Sequence, residues 1–296
     1  MMRTTRWNGL VAIDKPPGMT SRRIVDHVQR IVRPAKVGHA GTLDPLATGV
    51  LVVAIGSATR LIGYVQQGHK RYTGRFRLGE RSDTDDVEGR ITQGGDWSHV
   101  SADLLKSHLE QFVGVISQIP PQYSAIHVDG QRAYSLARRG ETVDIQARPV
   151  EIHAICVSKW EPPDFELQIE CGSGTYVRSI GRDLGELLGC GAIMTELRRT
   201  AVGSFSIDTA TPLDALDEAT LRQALQPPLK AIEGLPRRIV SPEEIRDLCQ
   251  GRAIAMGNCS ETVNTEVALV DTAGRLIGVA RVTDSQRLQP QLVFPT

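Results

Sequence analysis

The chain has 296 residues, and its 34 Lys/Arg exactly offset its 34 Asp/Glu. With 41% hydrophobic and 23% charged residues, disordered, collagen-like and low-complexity classes are excluded, and the length allows one large or two modest domains. No apolar run approaches the ~20 residues that span a bilayer. The first nine residues lack the apolar stretch of a secretory signal. Five cysteines, Cys156, Cys171, Cys190, Cys249 and Cys259, are spaced too widely for a CxxC pair. They read as reduced thiols of a cytoplasmic protein.

The neutral total conceals a polarity along the chain. Residues 1–82 carry 14 Lys/Arg against 4 Asp/Glu, and the remainder carries 20 against 30. A basic segment of this kind suits a phosphate backbone, provided the charges share a surface.

In chain order, Leu10 to Asp14 reads as a short apolar strand ended by the turn Lys15-Pro-Pro-Gly18. Thr20-Ser21 then offers a cap for a helix whose Ile24, Val25, Val28, Ile31 and Val32 recur at helical spacing up to Pro34. A glycine-rich stretch from Gly38 to Gly49 leads into Val50 to Ile55, a continuous β-branched run expected to be a buried strand. Tyr72 to Leu78 alternates like a half-buried strand. Arg81 to Gly95 is polar, a loop or hairpin. Ser101 caps a helix through Leu104, Leu105, Leu109 and Phe112.

From Ser117 to Arg148 prolines, aromatics and basic residues mix without a core period, apart from a short helix at 132–139, so the segment reads as an insertion. Strands are expected at Val150–Trp160 and Phe165–Glu170, and an amphipathic helix at Val177–Leu188 stopped by Gly189. Prolines and a glycine between Gln226 and Pro236 mark a boundary. Beyond it a capped helix starts at Ser241, and short strands at 267–271, 276–282 and 292–294 suggest a small β-barrel. Strands and helices mixed without regular βα alternation indicate an α+β fold.

Cofactor signatures are missing. The sequence has no phosphate-binding GxxxxGK[ST] loop, and Gly172-Ser-Gly174 lacks the third glycine of a dinucleotide site. The seven histidines show no zinc spacing. The acidic run Ser82 to Gly89 fails the calcium-loop pattern at Glu88 and Gly94, and is expected to be a solvated loop. Chemistry is therefore expected to run on side chains alone, without metal or cofactor.

The segment Lys36 to Gly49 is the most informative. Asp44 is a lone carboxylate among small and apolar residues, Pro45 holds it extended, and Gly38, Gly41 and Gly49 let the backbone close around another group. A carboxylate so placed needs a cationic or hydrogen-bonding partner to stay ionised. On spacing alone, a structural Asp-Pro turn explains it as well.

The stretch Gly38-His-Ala-Gly-Thr-Leu-Asp-Pro-Leu-Ala-Thr-Gly49 resembles the signature loop of the TruB family, the bacterial tRNA pseudouridine-55 synthases. Further motifs follow in the family's order: Asp14-Lys-Pro-Pro-Gly-Met-Thr-Ser21, Lys70-Arg-Tyr72, Leu78-Gly-Glu-Arg-Ser-Asp-Thr-Asp85, Pro120-Pro-Gln-Tyr-Ser-Ala125, Ser173-Gly-Thr-Tyr-Val-Arg178 and Leu197-Arg-Arg199. Thr42 stands where the family often has alanine. The resemblance implies a mixed, largely antiparallel catalytic domain at 8–230, with an RNA-clamping insertion at about 118–148. A PUA-like RNA-binding domain is implied at 235–296.

By the same resemblance Asp44 is the catalytic group, as nucleophile at C1′ or as base at C2′, and Arg178 is its ion-pair partner. Tyr72, Tyr176 and Leu197 match residues lining the base pocket. His39 matches the histidine that fills the space left by an everted nucleotide, and Lys15 a lysine supporting the loops. The implied substrate is uridine 55 in the T-arm of tRNA, handled by a cytoplasmic monomer without obligate protein partner or membrane contact. Three competing readings are a non-catalytic RNA-binding protein, a guide-dependent synthase, and a carbohydrate-active enzyme. The last is disfavoured because no second acidic residue shares a motif with Asp44.

Overall fold

The computed structural model describes residues 7–124, 126–128, 131, 132, 134, 136, 139, 143–257 and 260–294. A ten-stranded sheet forms the body. Its order is Thr211–Pro212, Gly9–Lys15, Thr48–Ile55, Ala192–Val202, Lys70–Leu78, Asp164–Cys171, Arg148–Glu161 and Gly114–Gln118. Val37–His39 pairs with Thr48–Ile55, and Phe205–Ser206 with Ala192–Val202. Two of the pairings are parallel and the others antiparallel, so the sheet is mixed and largely antiparallel as expected.

The helices form where local chemistry starts and stops them. Ser21–Val32 is capped by the Thr20 side chain, which accepts from the Arg23 amide, and its Ile24, Val25, Val28 and Val32 are buried. Ala102–Leu109 is capped by Ser101. Val177–Leu187 buries Val177, Ile180 and Leu184, and Gly189 beyond it takes a φ of +74°. These faces pack on Val11, Ile13, Leu51, Val53, Phe76, Phe165 and Leu167 of the sheet. Leu10, Ala12, Val50, Val52 and Ala54 fill a second core on the opposite face, which explains the unbroken apolar run at 50–55.

The strand Ala192–Val202 lies at the centre of the sheet, yet its sequence shows no clean alternation. Register shifts at Met194/Glu196 and Arg199/Ala201 break the period of two. The polar stretch after residue 80 does contain a hairpin, Glu80–Ser82 against Ile91–Gln93. The helix expected at 132–139 falls largely outside the described residues, as does Cys259. Cys156, Cys171, Cys190 and Cys249 are free thiols.

The C-terminal strands Arg237–Ile239, Glu266–Val270, Leu276–Val282, Arg287–Val293 and Ile254–Ala255 make a separate five-stranded sheet, a curled half-barrel. The helix Pro242–Cys249 covers it, opened by a capping box between Ser241 and Glu244. Leu61 and Ile232 meet Ala268, Val279 and Phe294 in an apolar seam that joins this sheet to the body. Arg60 locks the seam by donating to the Val293 carbonyl at 2.6 Å. Among the described residues no helix is long and apolar enough to cross a membrane.

Candidate active site

The loop bearing Asp44 runs between two strands of the sheet and is tied down from both sides. Ser21 is buried; its hydroxyl accepts from the Leu43 amide at 2.9 Å and donates to the Leu43 carbonyl at 3.1 Å. The fully buried Lys15 donates to the carbonyls of Pro16, Met19 and Pro45. Its ammonium is lowered to about 8, chiefly by burial, with Asp44 opposing the shift. Gly41 and Gly49 close on Arg199, whereas Gly38 lies against Ile62. A Cβ on Gly49, whose φ is +96°, would lie 2.2 Å from the Arg199 carbonyl oxygen. Arg199 in turn donates to the carbonyls of Val50 and Gly41.

Asp44 meets Arg178. The guanidinium Nε lies 3.0 Å from Asp44 Oδ2, with Asp44 partly open to solvent and Arg178 4% exposed. Arg178 also lies 3.4 Å from Asp86, donates to the Thr84 carbonyl at 2.7 Å and to the Tyr123 carbonyl at 3.1 Å. The arginine is therefore held on one side by a backbone cradle and a buried acid, while its Nε lies beside the Asp44 carboxylate as a close ion pair without hydrogen-bond alignment. Asp86 is 2% exposed and accepts from the Thr84 hydroxyl at 2.6 Å and the Glu88 amide at 3.0 Å. Burial pushes its carboxyl pKa up, against the pull of Thr84 and Arg178.

The run 82–89 is thus not the solvated loop expected from its composition. Asp85 is buried and pairs with Arg182 at 2.8 Å, and Asp86 sits beneath Arg178. A hydrophilic run is read as exposed unless its partners are known, and here they come from the distant helix Val177–Leu187.

One cavity of about 390 Å³ gathers Asp44, Tyr72, Tyr176, Arg178 and Leu197, together with Lys70, Tyr123, Arg148 and Arg199. Tyr72 and Arg199 are cross-strand neighbours. Burial raises the Tyr72 phenol pKa, and Arg199 counters it. Tyr176 is fixed through its backbone, which exchanges hydrogen bonds with the Gln118 side chain at 2.8 and 3.1 Å. The Arg148 guanidinium lies 5.0 Å from its ring centre. His39 and Lys15 are outside the cavity lining. His39 is on the short strand beside Thr48–Ile55, and burial lowers its pKa. Among the described residues no group of His, Cys, Asp and Glu could hold a metal ion.

Such a cavity offers a planar ligand three tyrosine rings and one accessible carboxylate, with an arginine held beside that carboxylate. Family models match along most of the chain. The model of the TruB family pseudouridylate synthase N-terminal domain covers residues 29–177. The tRNA pseudouridylate synthase B C-terminal domain covers 178–244, and the C-terminal model of pseudouridine synthase II TruB covers 236–294.

The chain belongs to the TruB family.

Among its relatives, the tRNA pseudouridine synthase B of Microcystis aeruginosa is 39% identical, the match covering 97% of this chain and 99% of the relative. That of Paenarthrobacter aurescens is 41% identical over 97% and 95%. The fold is that of the pseudouridine synthases: a crystal structure of a Cbf5-Nop10-Gar1 complex contains a chain that superposes with a TM-score of 0.75 at 27% identity, covering 97% and 85%. The protein is accordingly a pseudouridine synthase, an isomerase acting on tRNA, and its C-terminal half-barrel is PUA-like.

Sequence reasoning missed Asp86, whose signal is the two-residue spacing to Thr84 that lets one side chain hold the other. Lys70 and Arg199 line the cavity as well, and nothing in their sequence surroundings marks a role for either.

Proposed function

We propose that this TruB-family enzyme isomerises uridine 55 in the T-loop of tRNA, with Asp44 as the group that opens the glycosidic bond. The observation that carries this reading is the Asp44 carboxylate, opposed to Arg178 at 3.0 Å and open to a cavity walled by Tyr72, Tyr176 and Leu197. A glycosidic bond inside a helical stack is out of reach of such a cavity, so the nucleotide must swing out. Tyr72 then stacks on the base, and Tyr176 and Leu197 confine it.

Two routes fit the carboxylate. In the first, Asp44 attacks C1′, the C1′–N1 bond breaks, and the sugar is held as an ester. The freed uracil turns; C1′–C5 forms as the ester bond breaks, C5 loses its proton and N1 gains one. In the second, Asp44 takes the proton from C2′ as the C1′–N1 bond breaks, leaving a glycal and the uracil anion; C1′–C5 then forms as Asp44 returns the proton to C2′, C5 loses its proton and N1 gains one. A primary isotope effect with 2′-deuterated target uridine selects the second route, and its absence the first.

The catalytic domain is assigned to 8–230, with the clamp for the T-arm at about 118–148, and the second RNA-binding domain to 235–296. His39 is proposed to fill the gap left by the swung-out nucleotide, and Lys15 to support the loop through the Pro45 carbonyl. We assign the activity to the isolated chain as a cytoplasmic monomer, without cofactor, metal or obligate partner. Incubation of the purified chain with unmodified T-arm RNA in the presence of a chelator tests this. Pseudouridine at position 55 with wild type, together with binding but no product for Asp44→Asn, is the expected result. Product from Asp44→Asn overturns the assignment of the carboxylate, and a need for added protein or guide RNA overturns the stand-alone reading.

A further inference from the structure

The cavity holds more positive charge than its own residues neutralise. Among the described residues lining it are four cations, Lys70, Arg148, Arg178 and Arg199, and one carboxylate, Asp44. Arg178 is matched by Asp44 and Asp86. Arg199 is occupied by the Val50 and Gly41 carbonyls, and Arg148 donates to the Gly174 carbonyl at 2.6 Å while covering Tyr176. Lys70 is less engaged still: it is 7% exposed, its ammonium donates to the Gln66 carbonyl alone, and among the described residues it shares with Arg148 and Arg199 the lack of a carboxylate within ion-pair distance. An ammonium has three protons to give, so two remain unassigned.

Its surroundings do not supply the missing charge. The neighbouring Cys171 thiol is raised to about 11 by burial and is neutral at pH 7. Arg199 adds a second positive charge nearby, which disfavours the ammonium further. A buried cation kept next to another cation is costly unless an anion arrives. Lys70 and Tyr72 are two residues apart on one face of the strand Lys70–Leu78, a separation of roughly 7 Å along the backbone. The site therefore lies about one nucleotide's length from the ring proposed to stack on the base.

The geometry points to a phosphate subsite: the Lys70 ammonium, backed by Arg199, binds the RNA phosphodiester that flanks the everted uridine. This inference rests on the proposed entry of the target nucleotide into the cavity and adds to it the group that registers the backbone. It also explains why a lysine is tolerated deep in the wall, since the substrate completes its coordination.

The test is a series of T-arm hairpins, each carrying a single neutral methylphosphonate, assayed for Kd and single-turnover rate with wild type, Lys70→Arg and Lys70→Met. Wild type is expected to lose roughly tenfold in affinity at one phosphate adjoining the target. Lys70→Arg keeps that penalty. Lys70→Met binds the unmodified hairpin roughly tenfold more weakly and shows no further loss at that position, while penalties elsewhere persist. The subsite is overturned if wild type is indifferent to every phosphate adjoining the target, or if Lys70→Met retains the same penalty. Should Lys70→Met fail to fold, the wild-type scan and Lys70→Arg decide. Product formation on the unmodified hairpin reports separately on the reaction: no product with a Lys70-dependent penalty overturns the reaction and keeps the subsite.

Discussion

Arginine–carboxylate pairs lie on both sides of the ten-stranded sheet, and the contrast between them is one of solvation. On the outer face, Arg71 meets Glu170 at 3.2 Å, Arg75 meets Glu161 at 3.2 Å, and Arg77 meets Asp164 at 2.9 Å, all with substantial solvent exposure. On the cavity side, Arg178 is nearly sealed and shared between Asp44 and the equally sealed Asp86. The outer pairs gain little because water screens them. The inner set has given up its hydration, so each member depends on the others. The basic N-terminal third divides along the same line. Arg71, Arg75, Arg77 and Arg81 are neutralised by carboxylates from later strands and a later helix. Arg23, Arg30, Arg33 and Lys36, on and just after the helix Ser21–Val32, are exposed and, among the described residues, have no carboxylate partner. Salt-dependent RNA binding is therefore expected to track the helix rather than the sheet.

The largest effect is expected at Asp44. If Asp44 acts on the glycosidic bond as proposed, Asn at this position lowers turnover by on the order of 10⁴ or more. Thermal stability should change little, because Arg178 retains Asp86 and its carbonyl cradle. A large fall in melting temperature with modest loss of rate would make Asp44 structural and erase the contrast between the faces.

Arg178→Ala comes next. It strands Asp86 in a dry site and should cost about 3 kcal/mol in denaturant unfolding, together with a large loss of turnover. Arg178→Lys keeps the charge without the fork that reaches Asp44 and two carbonyls at once, so it should recover stability better than rate. Equal recovery of both would show that charge alone, not orientation, is what Asp44 requires.

How far the sequence could be read follows the same division between local and long-range chemistry. Caps at Thr20, Ser101 and Ser241 and the apolar run at 50–55 are decided by neighbours in sequence, and they fold as their residues suggest. The strand Ala192–Val202 is not legible because two bulges interrupt its alternation and a buried arginine occupies its centre. Asp44 could be singled out by its loop, but spacing alone could not choose between a turn and a catalytic group. Arg178 lies 134 residues away, and only the resemblance to a family ties the two together. Asp86 looks solvated in the sequence, since nothing near it there reveals the arginine that packs on it. The exposed arginines at 71–81 were visible as charge, while their neutralisation depends on strand pairing that brings Asp164 and Glu170 alongside.

A third prediction uses acid to weaken the inner set. Burial raises the Asp86 carboxyl above its ordinary value of 3.8. On acidification it takes up a proton before an ordinary aspartate would, its hold on Arg178 loosens, and activity falls. For stability the sign is opposite. A carboxyl whose folded pKa is raised stabilises the fold most below the unfolded value, and that contribution is lost as pH rises through the raised value. Between 3.8 and the raised pKa, turnover and the contribution of Asp86 to stability should therefore move in opposite directions. Asp86→Asn should lower the plateau rate and remove this part of the acid limb from the pH–rate profile. A profile identical in shape to that of wild type would show that Asp86 does not set the limb.

The smallest effect is expected on the outer face, where the comparison is easiest to break. Asp164 accepts from Arg77 through two nitrogens and also lies 3.6 Å from Arg75, so it is the best-connected carboxylate there. Arg77→Ala should nonetheless cost no more than about 1 kcal/mol, because Arg75 remains beside Asp164 and water reaches the arginine it replaces. Pseudouridine formation should be unchanged. Alternation turns Arg77 away from Phe76 and Leu78, which are buried in the main core. A stability loss matching that of Arg178→Ala would mean that exposure is a poor guide to the worth of these pairs. A loss of rate without loss of stability would instead carry the functional surface around to the back of the sheet.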